Sequence, residues 1–371
     1  MRMTIRIRTV KMIPVNAFEN EVLTLARIYA NAESLALEKV AKRVAKGIDK
    51  PNYAAFKSNE LRMLREELTP EIKALTKRIP KEVETVVEAA YREGQASATR
   101  DIERANKLRR AGESPIQKGF SVTDQYKVRA IANELSDKLT STHFRILRQA
   151  QDAYMTCVTN AVSVAQTGVI TRREAAQLSL NQFADRGITG FVDKSGRSWS
   201  LQSYTEMATR TSYRQASLEG NFQRMIENGY DLVMVDAHVG SCERCAPWNG
   251  RIISLSGRDS KYPSLADATA DGLFHPNCKH SFSAYFPGLS KKSEFKESEH
   301  DRKSRYDETL KQRKIERDIR HWKKRETVAI TDSEKEKCKF KIREKQANMR
   351  AFIDSTGRQR KPVREQIKRA I

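Results

Sequence analysis

The sequence predicts a mainly α-helical protein that carries a small α+β domain. Three observations lead to this fold class. Apolar residues recur at helical spacing through the first half of the 371-residue chain, short strand-like runs with glycine turns follow near Gly187, and the end of the chain is again charged and helical. These changes in character predict consecutive segments: a basic N-terminal arm (1–20), a helical domain (21–186), an α+β domain (187–289) and a basic helical tail (290–371).

Three long helices account for most of the helical domain, which is predicted to be an N-terminal helical bundle. Apolar residues follow a period of about 3.6 over 22–44, 81–108 and 124–167. Small residues on the second of these stripes, Gly94 among them, indicate close packing between helices. Thr171 stands three residues before a glutamate, which is the spacing of a capping box, so Thr171 is predicted to begin a further helix.

The α+β domain is predicted to open with a β-hairpin over 190–200. Ser203 and Glu206 then have the spacing of a second capping box, and the helix that they would open ends before Gly229, because glycine is the usual residue after a helix. Two strands are predicted to follow, at 230–236 and 251–255, with an Asn-Gly turn signal at 249–250 between them.

Charge is concentrated in the tail. The formal net charge of the chain is +22, and residues 291–371 contain 27 lysines and arginines against 15 aspartates and glutamates. A positive field of this size favours nucleic acid as a partner, although a solvated basic face on long helices gives the same composition. Helices predicted over 303–326 and 333–353 have weak apolar stripes, so we expect them to dock on a partner, on another subunit or on nucleic acid.

The sequence carries no signal for membrane insertion or secretion. No run approaches the ~20 apolar residues that a membrane helix needs, and the basic N-terminus has no apolar segment of the kind that a secretory signal carries. The sequence therefore predicts a protein that works inside a cell, or inside a particle assembled there, without a membrane partner.

A cysteine and histidine cluster is the strongest chemical signal. Cys242 and Cys245 form a C-x-x-C pair, and His275 and Cys278 repeat that spacing downstream. Two thiolates from one turn, joined by a thiolate and an imidazole from a second, are the ligands of a closed structural zinc site. We therefore predict zinc bound by Cys242, Cys245, His275 and Cys278, with His280 as the alternative to His275. The other interpretation is a set of reduced cysteines without metal.

Several sequence blocks resemble one known family. Along the chain these blocks are 190–193, 204–211, 235–240, 242–245, 248–257, 262–265, 275–282, 312–320 and 349–353. In this order they are similar to the phage minor capsid protein 2 family, within the wider superfamily of Mu-type head-morphogenesis proteins. The resemblance covers about residues 185–365.

The resemblance implies a virion component and not an enzyme. It implies a minor structural protein of a tailed-phage head, placed near the portal or in the head interior, which acts in head assembly or DNA ejection. Its implied partners are portal protein, major capsid protein and packaged DNA, the last through the basic tail. It would be oligomeric in the virion and assembled in the host cytoplasm.

Two alternatives remain open at the level of sequence. One is an enzyme delivered with the virion, either metal-dependent, with Asp236, His238 and Glu243 as candidate groups, or of the ADP-ribosyltransferase type, with Arg210. For Asp236 and His238, a role in capping a strand end is the alternative to acid–base catalysis. The other is a nucleic-acid-binding protein, which the net charge alone would serve.

Overall fold

The protein is described from a computed structural model, which defines residues 15–50, 52–53, 57–109, 116–166, 168–187, 191–192, 198–276, 278–291 and 295–367. Most of the predicted N-terminal arm, residues 1–14, lies outside the described residues. The chain divides into two compact units. The first comprises Met1–Leu23, Glu82–Leu135 and Met207–Tyr306, and the second comprises Thr24–Lys81, Ser136–Glu206 and Asp307–Ile371. The consecutive segments drawn from the sequence stay a prediction.

The predicted fold class is confirmed, since the described residues are mainly helical and contain a small three-stranded sheet beside a two-stranded pair. The helices are α1 (Val15–Ala45), α2 (Lys57–Arg109), α3 (Val122–Thr140), α4 (His143–Ala165), α5 (Arg172–Arg186), α6 (Leu201–Glu227), α7 (Leu265–Ala270), α8 (Glu299–Thr327) and α9 (Asp332–Thr356). The strands are β1 (Phe191–Val192), β2 (Ser198–Trp199), β3 (Leu232–Val235), β4 (Ile252–Ser254) and β5 (Phe282–Ala284). None of the helices in the described part of the chain has the length and apolar character needed to cross a membrane.

The single helix predicted over 124–167 is wrong, because the chain forms α3 and α4 there. The hydroxyl of Ser141 donates to the carbonyl of Lys138 at 2.9 Å, and that of Thr142 donates to the carbonyl of Leu139 at 2.6 Å. Adjacent hydroxyl side chains that bond to nearby carbonyls compete with the helical hydrogen-bond ladder. The continuous apolar stripe hid this break.

The helix predicted over 81–108 is only the second part of α2, which begins at Lys57 and includes Pro70 and Pro80. Proline lacks the N–H that an interior helical position requires, so it normally signals a helix end in a sequence. The helix continues past both prolines.

The capping box predicted at Ser203 is also wrong. Helix α6 begins at Leu201, and the N–H of Ser203 donates to the hydroxyl of Ser200 at 3.2 Å. Glu206 forms an ion pair with Arg364 at 2.9 Å. The capping box at Thr171 is confirmed, since its hydroxyl accepts from the N–H of Glu174 and the Glu174 carboxylate accepts from the N–H of Thr171.

Both the hairpin and the strand predictions are confirmed in position. Strands β1 and β2 pair antiparallel, and the hairpin turn at 193–197 lies outside the described residues. Gly229 follows α6 with a φ of 75°, as predicted for a residue after a helix. Helix α7 and strand β5 carried no signal in the sequence analysis.

The first unit is built around a three-stranded antiparallel sheet in the order β4-β3-β5. Val233 in the central strand is opposite Ile253 in β4 and Ala284 in β5. The buried cluster on this sheet joins residues of α2, α6, α7 and the loops: Ile102, Ala105, Met225, Val233, Val235, Trp248, Ile253, Leu255, Ala268, Phe282, Ala284 and Phe286. The sheet is small, so its loops hold much of the unit together.

In the second unit, α4 packs along α5, and α8 buries an unusually polar face. The buried residues of α8 within this unit are Gln312, Glu316, Ile319, Arg320 and Lys324. Lys324 pairs with the fully buried Glu33 of α1 at 2.6 Å. The tail helix thus docks within its own chain, through charged groups that an apolar stripe cannot reveal.

Candidate metal centre

The first arm of the candidate centre leaves the end of β3. The chain turns at Gly240, whose φ is 65°, and the N–H of Ala246 donates to the carbonyl of Cys242 at 2.9 Å. This tight turn leads into a 3-10 helix at Ala246–Trp248. Because the turn brings residues 242 and 245 together, both sulfurs can point at one ion.

The second arm lies between α7 and β5. It begins after Phe274, which has a positive φ of 61° and is not glycine, and the N–H of Cys278 donates to the carbonyl of His275 at 2.9 Å. A backbone of this kind is strained and needs support from its surroundings. The first arm has a bond of the same span, from the N–H of Cys245 to the carbonyl of Cys242 at 3.1 Å.

Antiparallel pairing brings the two arms together. Val235, the last residue of β3, is opposite Phe282, the first residue of β5. The chain after β3 and the chain before β5 consequently meet at one edge of the sheet. This explains how residues more than thirty positions apart form one cluster.

All five predicted ligand residues lie in this cluster. The Nε2 atom of His275 is 3.0 Å from the Sγ of Cys242, the sulfurs of Cys245 and Cys278 are 3.5 Å apart, and the Nδ1 of His280 is 3.5 Å from the Sγ of Cys278. The donor atoms form two overlapping groups, each with all atoms within 4.8 Å: one of Cys242, Cys245 and His275, and one of Cys245, Cys278 and His280.

The donor set fits zinc. Tetrahedral coordination with Zn–S near 2.3 Å and Zn–N near 2.0–2.1 Å places two sulfurs about 3.8 Å apart and a sulfur and a nitrogen about 3.5 Å apart. The distances of 3.5 Å from Cys278 to Cys245 and to His280 lie close to these values, whereas His275 and Cys242 are nearer to each other, at 3.0 Å. Zinc bound there would neutralise thiolate charge and tie the two arms together.

The thiols are coupled through Cys245. Hydrogen bonding from Cys245 lowers the pKa of Cys242 to about 4, and the neighbouring His275 also contributes. Hydrogen bonding from Cys245 likewise lowers the pKa of Cys278 to about 3, with a further contribution from His280. Hydrogen bonding with Cys242 and Cys278 in turn raises the pKa of Cys245. Thiolates are the form of cysteine that binds metal.

Three polar residues that the sequence analysis did not select support the arms. The side-chain oxygen of Asn249 lies 2.7 Å from the Nε2 of His280, and the side-chain NH2 of Asn249 donates to the hydroxyl of Ser241 at 3.0 Å. The carboxylate of Glu297 accepts from the N–H of Gly240 at 3.0 and 3.1 Å. The Asn-Gly turn explained Asn249 locally, and nothing near Glu297 in the sequence marked its role.

Asp236 and His238 have separate hydrogen-bond partners, and the Nδ1 of His238 lies 3.0 Å from the carbonyl of Val239. The Asp236 N–H donates to the carbonyl of Ser281 at 2.9 Å, and its carboxylate bonds the Ser283 side chain; burial, the largest effect, raises the pKa of Asp236 to about 6. The His238 ring lies over His280, with 4.3 Å between the ring centroids. Asp236 thus caps the end of β3, and Glu243 is exposed.

Comparison with known proteins settles the family. Residues 16–354 match the family model described as phage minor capsid protein 2. The chain belongs to the phage minor capsid protein 2 family. The resemblance seen in the sequence is confirmed, and the match extends it through the helical first half. This family assignment concerns a phage structural protein and carries no information about metal.

One curated relative agrees with this assignment. The chain is 24% identical over 240 residues to a protein of Lactococcus phage LL-H whose description is "Structural protein". The matched region covers 61% of this chain and 64% of that relative, so the chain spans less than two thirds of the relative's length. No solved structure matches the chain.

Proposed function

We propose that this protein is a minor structural component of a tailed-phage head, placed near the portal or in the head interior, and that it acts in head assembly or DNA ejection. The family match over residues 16–354 carries this proposal. The relative described as a structural protein supports it. Its partners are portal protein or major capsid protein, it is oligomeric in the virion, and it assembles in the host cytoplasm.

Composition of purified virions tests the proposal. We expect the protein in virions after density-gradient purification, at few copies relative to the major capsid protein, and in complexes with portal or capsid protein after co-expression in host cells. The control is a non-structural phage protein expressed at the same time. Absence from purified virions would rule out the structural role.

We further propose that Cys242, Cys245 and Cys278 hold a structural zinc ion together with one imidazole, from His275 or from His280. Two overlapping groups of donors that share Cys245, and the lowered pKa of two thiols, support it. When bound, the metal supplies a rigid link between the loop after β3 and the loop before β5. Such a link suits a sheet of three short strands.

Metal content tests the proposed zinc site. Protein purified without chelator should contain one zinc per chain by elemental analysis, and Cys242→Ser/Cys245→Ser should lose both zinc and thermal stability. Cys338→Ser is the matched control, since Cys338 is also buried but lies in α9. A well-folded wild-type protein without zinc would contradict the proposed zinc site and leave the capsid role intact.

Contact with packaged DNA is proposed for the solvent-facing side of the tail. Arg320, Lys324 and Arg364 are buried, so they are unavailable to DNA. Exposed basic residues of α8 and α9 are the candidates, among them Lys311, Lys314, Arg317, Lys335, Arg343 and Arg350. Exposed cations release counterions from duplex DNA, which makes the affinity fall steeply with salt.

The salt dependence of duplex binding tests this contact. Changing Lys311, Lys314 and Arg317 together to Gln should weaken binding and lower the salt slope by about 1 for each phosphate that the variant no longer neutralises. A control removes equal charge from α2, by changing the exposed Lys73, Lys77 and Lys81 to Gln. An equal decrease in affinity for both variants would show that net charge alone drives binding.

A further inference from the structure

We infer that His280, through Nδ1, is the imidazole ligand of the metal centre, and that His275 is an outer partner of the Cys242 thiolate. The ligand set is then Cys242, Cys245, Cys278 and His280. This inference rests on the proposed structural zinc site. It selects between His275 and His280, a choice that the sequence leaves open.

Burial separates the two histidines. His280 is 1% exposed and shares its donor group with Cys245, which is 0% exposed, and Cys278, which is 5% exposed. His275 is half-buried and lies beside the half-buried Cys242. A structural ion is held where water is excluded, so the fully buried group forms the inner part of the site. Cys242 lies in the other donor group, which shares Cys245 with the buried one, so it would complete the coordination from the half-buried side.

Asn249 sets the ring of His280 for coordination. Because the Asn249 amide donates to the Ser241 hydroxyl at 3.0 Å, its side-chain oxygen is the atom that faces His280 Nε2, at 2.7 Å. That oxygen only accepts, so Nε2 carries the proton and Nδ1 keeps its lone pair. An outer acceptor that fixes the ring in this way is the usual support of a metal-bound histidine.

The main chain of His280 is held as firmly as its ring. Its N–H donates to the Cys278 sulfur at 3.3 Å, and its carbonyl accepts from the Arg214 guanidinium. An N–H donor to a sulfur favours the thiolate that a metal requires. The ring, the backbone and the adjacent thiolate are therefore already placed.

His275 has the geometry of a hydrogen-bond partner. Its Nε2 lies 3.0 Å from the Cys242 sulfur, which is shorter than the about 3.5 Å that separates a sulfur and a nitrogen bound to one tetrahedral zinc. The 3.5 Å between His280 Nδ1 and Cys278 Sγ matches that value. The Nδ1 of His275 lies 2.8 Å from the carbonyl of its own neighbour, Pro276. A hydrogen bond from His275 to the Cys242 thiolate would offset part of the negative charge of three thiolates around one divalent ion.

Long-range proton–nitrogen NMR of the full-length wild-type protein, labelled with nitrogen-15 at histidine and loaded with zinc, tests the assignment. His275→Asn identifies the His275 signals. We expect metal at Nδ1 and a proton at Nε2 of His280. Metal at Nε2 of His275, with or without metal at His280, would overturn the inference and still support the proposed zinc site. A wild-type protein that binds no zinc overturns both.

Zinc affinity, measured by competition with a chromophoric chelator, provides a second test. His275→Asn and Asn249→Ala should each lower the affinity by about 10–100-fold, as outer partners do. His280→Asn should lower it by more than either. The opposite order for the two histidine variants, in proteins that keep their helical circular dichroism, would overturn the inference.

Discussion

At Gly94 and Gly220, helices α2 and α6 approach so closely that no side chain fits. A Cβ atom on Gly94 would lie 1.9 Å from the carbonyl oxygen of Ser217, and one on Gly220 would lie 2.1 Å from that of Tyr91. In both cases the obstacle is backbone, which cannot rotate away. The close packing predicted from small residues on the α2 stripe is confirmed at Gly94.

Gly94→Ala and Gly220→Ala should each destabilise the first unit by about 3 kcal/mol or more, because one helix must move away from the other. Urea unfolding measures this decrease in stability. Gly119→Ala is the control and should change stability by less than about 0.5 kcal/mol, since nothing lies within 4 Å of its added carbon. Equal effects at Gly94 and Gly119 would contradict the close approach.

His143 is a second residue whose role depends on burial. It is 0% exposed, and its ring nitrogens lie 2.7 Å from the Tyr29 hydroxyl and 2.8 Å from the Thr76 hydroxyl. Burial disfavours the charged ring and lowers the pKa of His143 from 6.5 to about 4. Both hydroxyls can bond to the neutral ring, so the folded chain keeps it uncharged.

Stability should therefore fall in mild acid. The unfolded chain binds a proton at His143 near pH 6.5, whereas the folded chain binds it only near pH 4. The contribution of neutral His143 to the free energy of unfolding is complete above pH 6.5, and it is lost as the pH falls toward 4. Between about pH 7.5 and about pH 5, the wild type should lose roughly 2 kcal/mol more than His143→Gln, which does not titrate. Urea titrations of both proteins measure the difference, and parallel curves would contradict it.

Among the elements, α8 and the segment after α9 are joined by buried charge. Arg364, in the 3-10 helix Pro362–Glu365, is 2% exposed and pairs with Glu206 of α6 at 2.9 Å and with Glu316 of α8 at 3.8 Å. Burial raises the pKa of Glu316, and the Arg364 charge opposes this effect. The end of the chain is thus held through one guanidinium between two carboxylates.

Arg364→Ala should cost about 3–5 kcal/mol, because it removes a buried guanidinium from the buried Glu316 and from Glu206, although Glu206 retains Arg313 at 3.4 Å. Arg317→Ala, on the exposed side of α8, should cost less than about 0.5 kcal/mol. Chemical denaturation compares the two. Glu316→Gln in the Arg364→Ala background should restore part of the stability, and a failure to do so would show that the arginine acts through packing and not through charge.

At the scale of the whole molecule, every residue of the candidate metal centre belongs to the first unit. The cluster lies on the edge of the sheet that forms the centre of that unit's buried apolar cluster. In the second unit, α4 and α5 pack by their own side chains. If zinc binds as proposed, its stabilising effect is local to the first unit.

Removing the metal with a strong chelator should accordingly increase amide hydrogen exchange in β3, β4 and β5 and leave exchange in α4 and α5 unchanged. Mass spectrometry of peptides from the treated and untreated protein measures both regions. The double cysteine variant should show the same pattern without chelator. An equal increase of exchange in α4 and α5 would contradict a local role.

Part of the fold and of the candidate site was readable from local patterns. Apolar stripes located α1 and α8, Gly229 located the end of α6, the capping box located the start of α5, and the C-x-x-C pair with its downstream partner selected the donors of the two overlapping groups. Zinc binding itself stays a prediction. Such features depend on residues a few positions apart, so one sequence is sufficient to show them.

Tertiary structure decided what distant residues do to one another. The sequence by itself determined the helical fold class, the family and the identity of the metal-binding candidates. It did not show that Arg364 lies between Glu206 and Glu316, or that Asn249 fixes the ring of His280, because each of these contacts joins segments far apart in the chain. Buried charges and outer hydrogen bonds leave no periodic pattern, so only the packed chain reveals them.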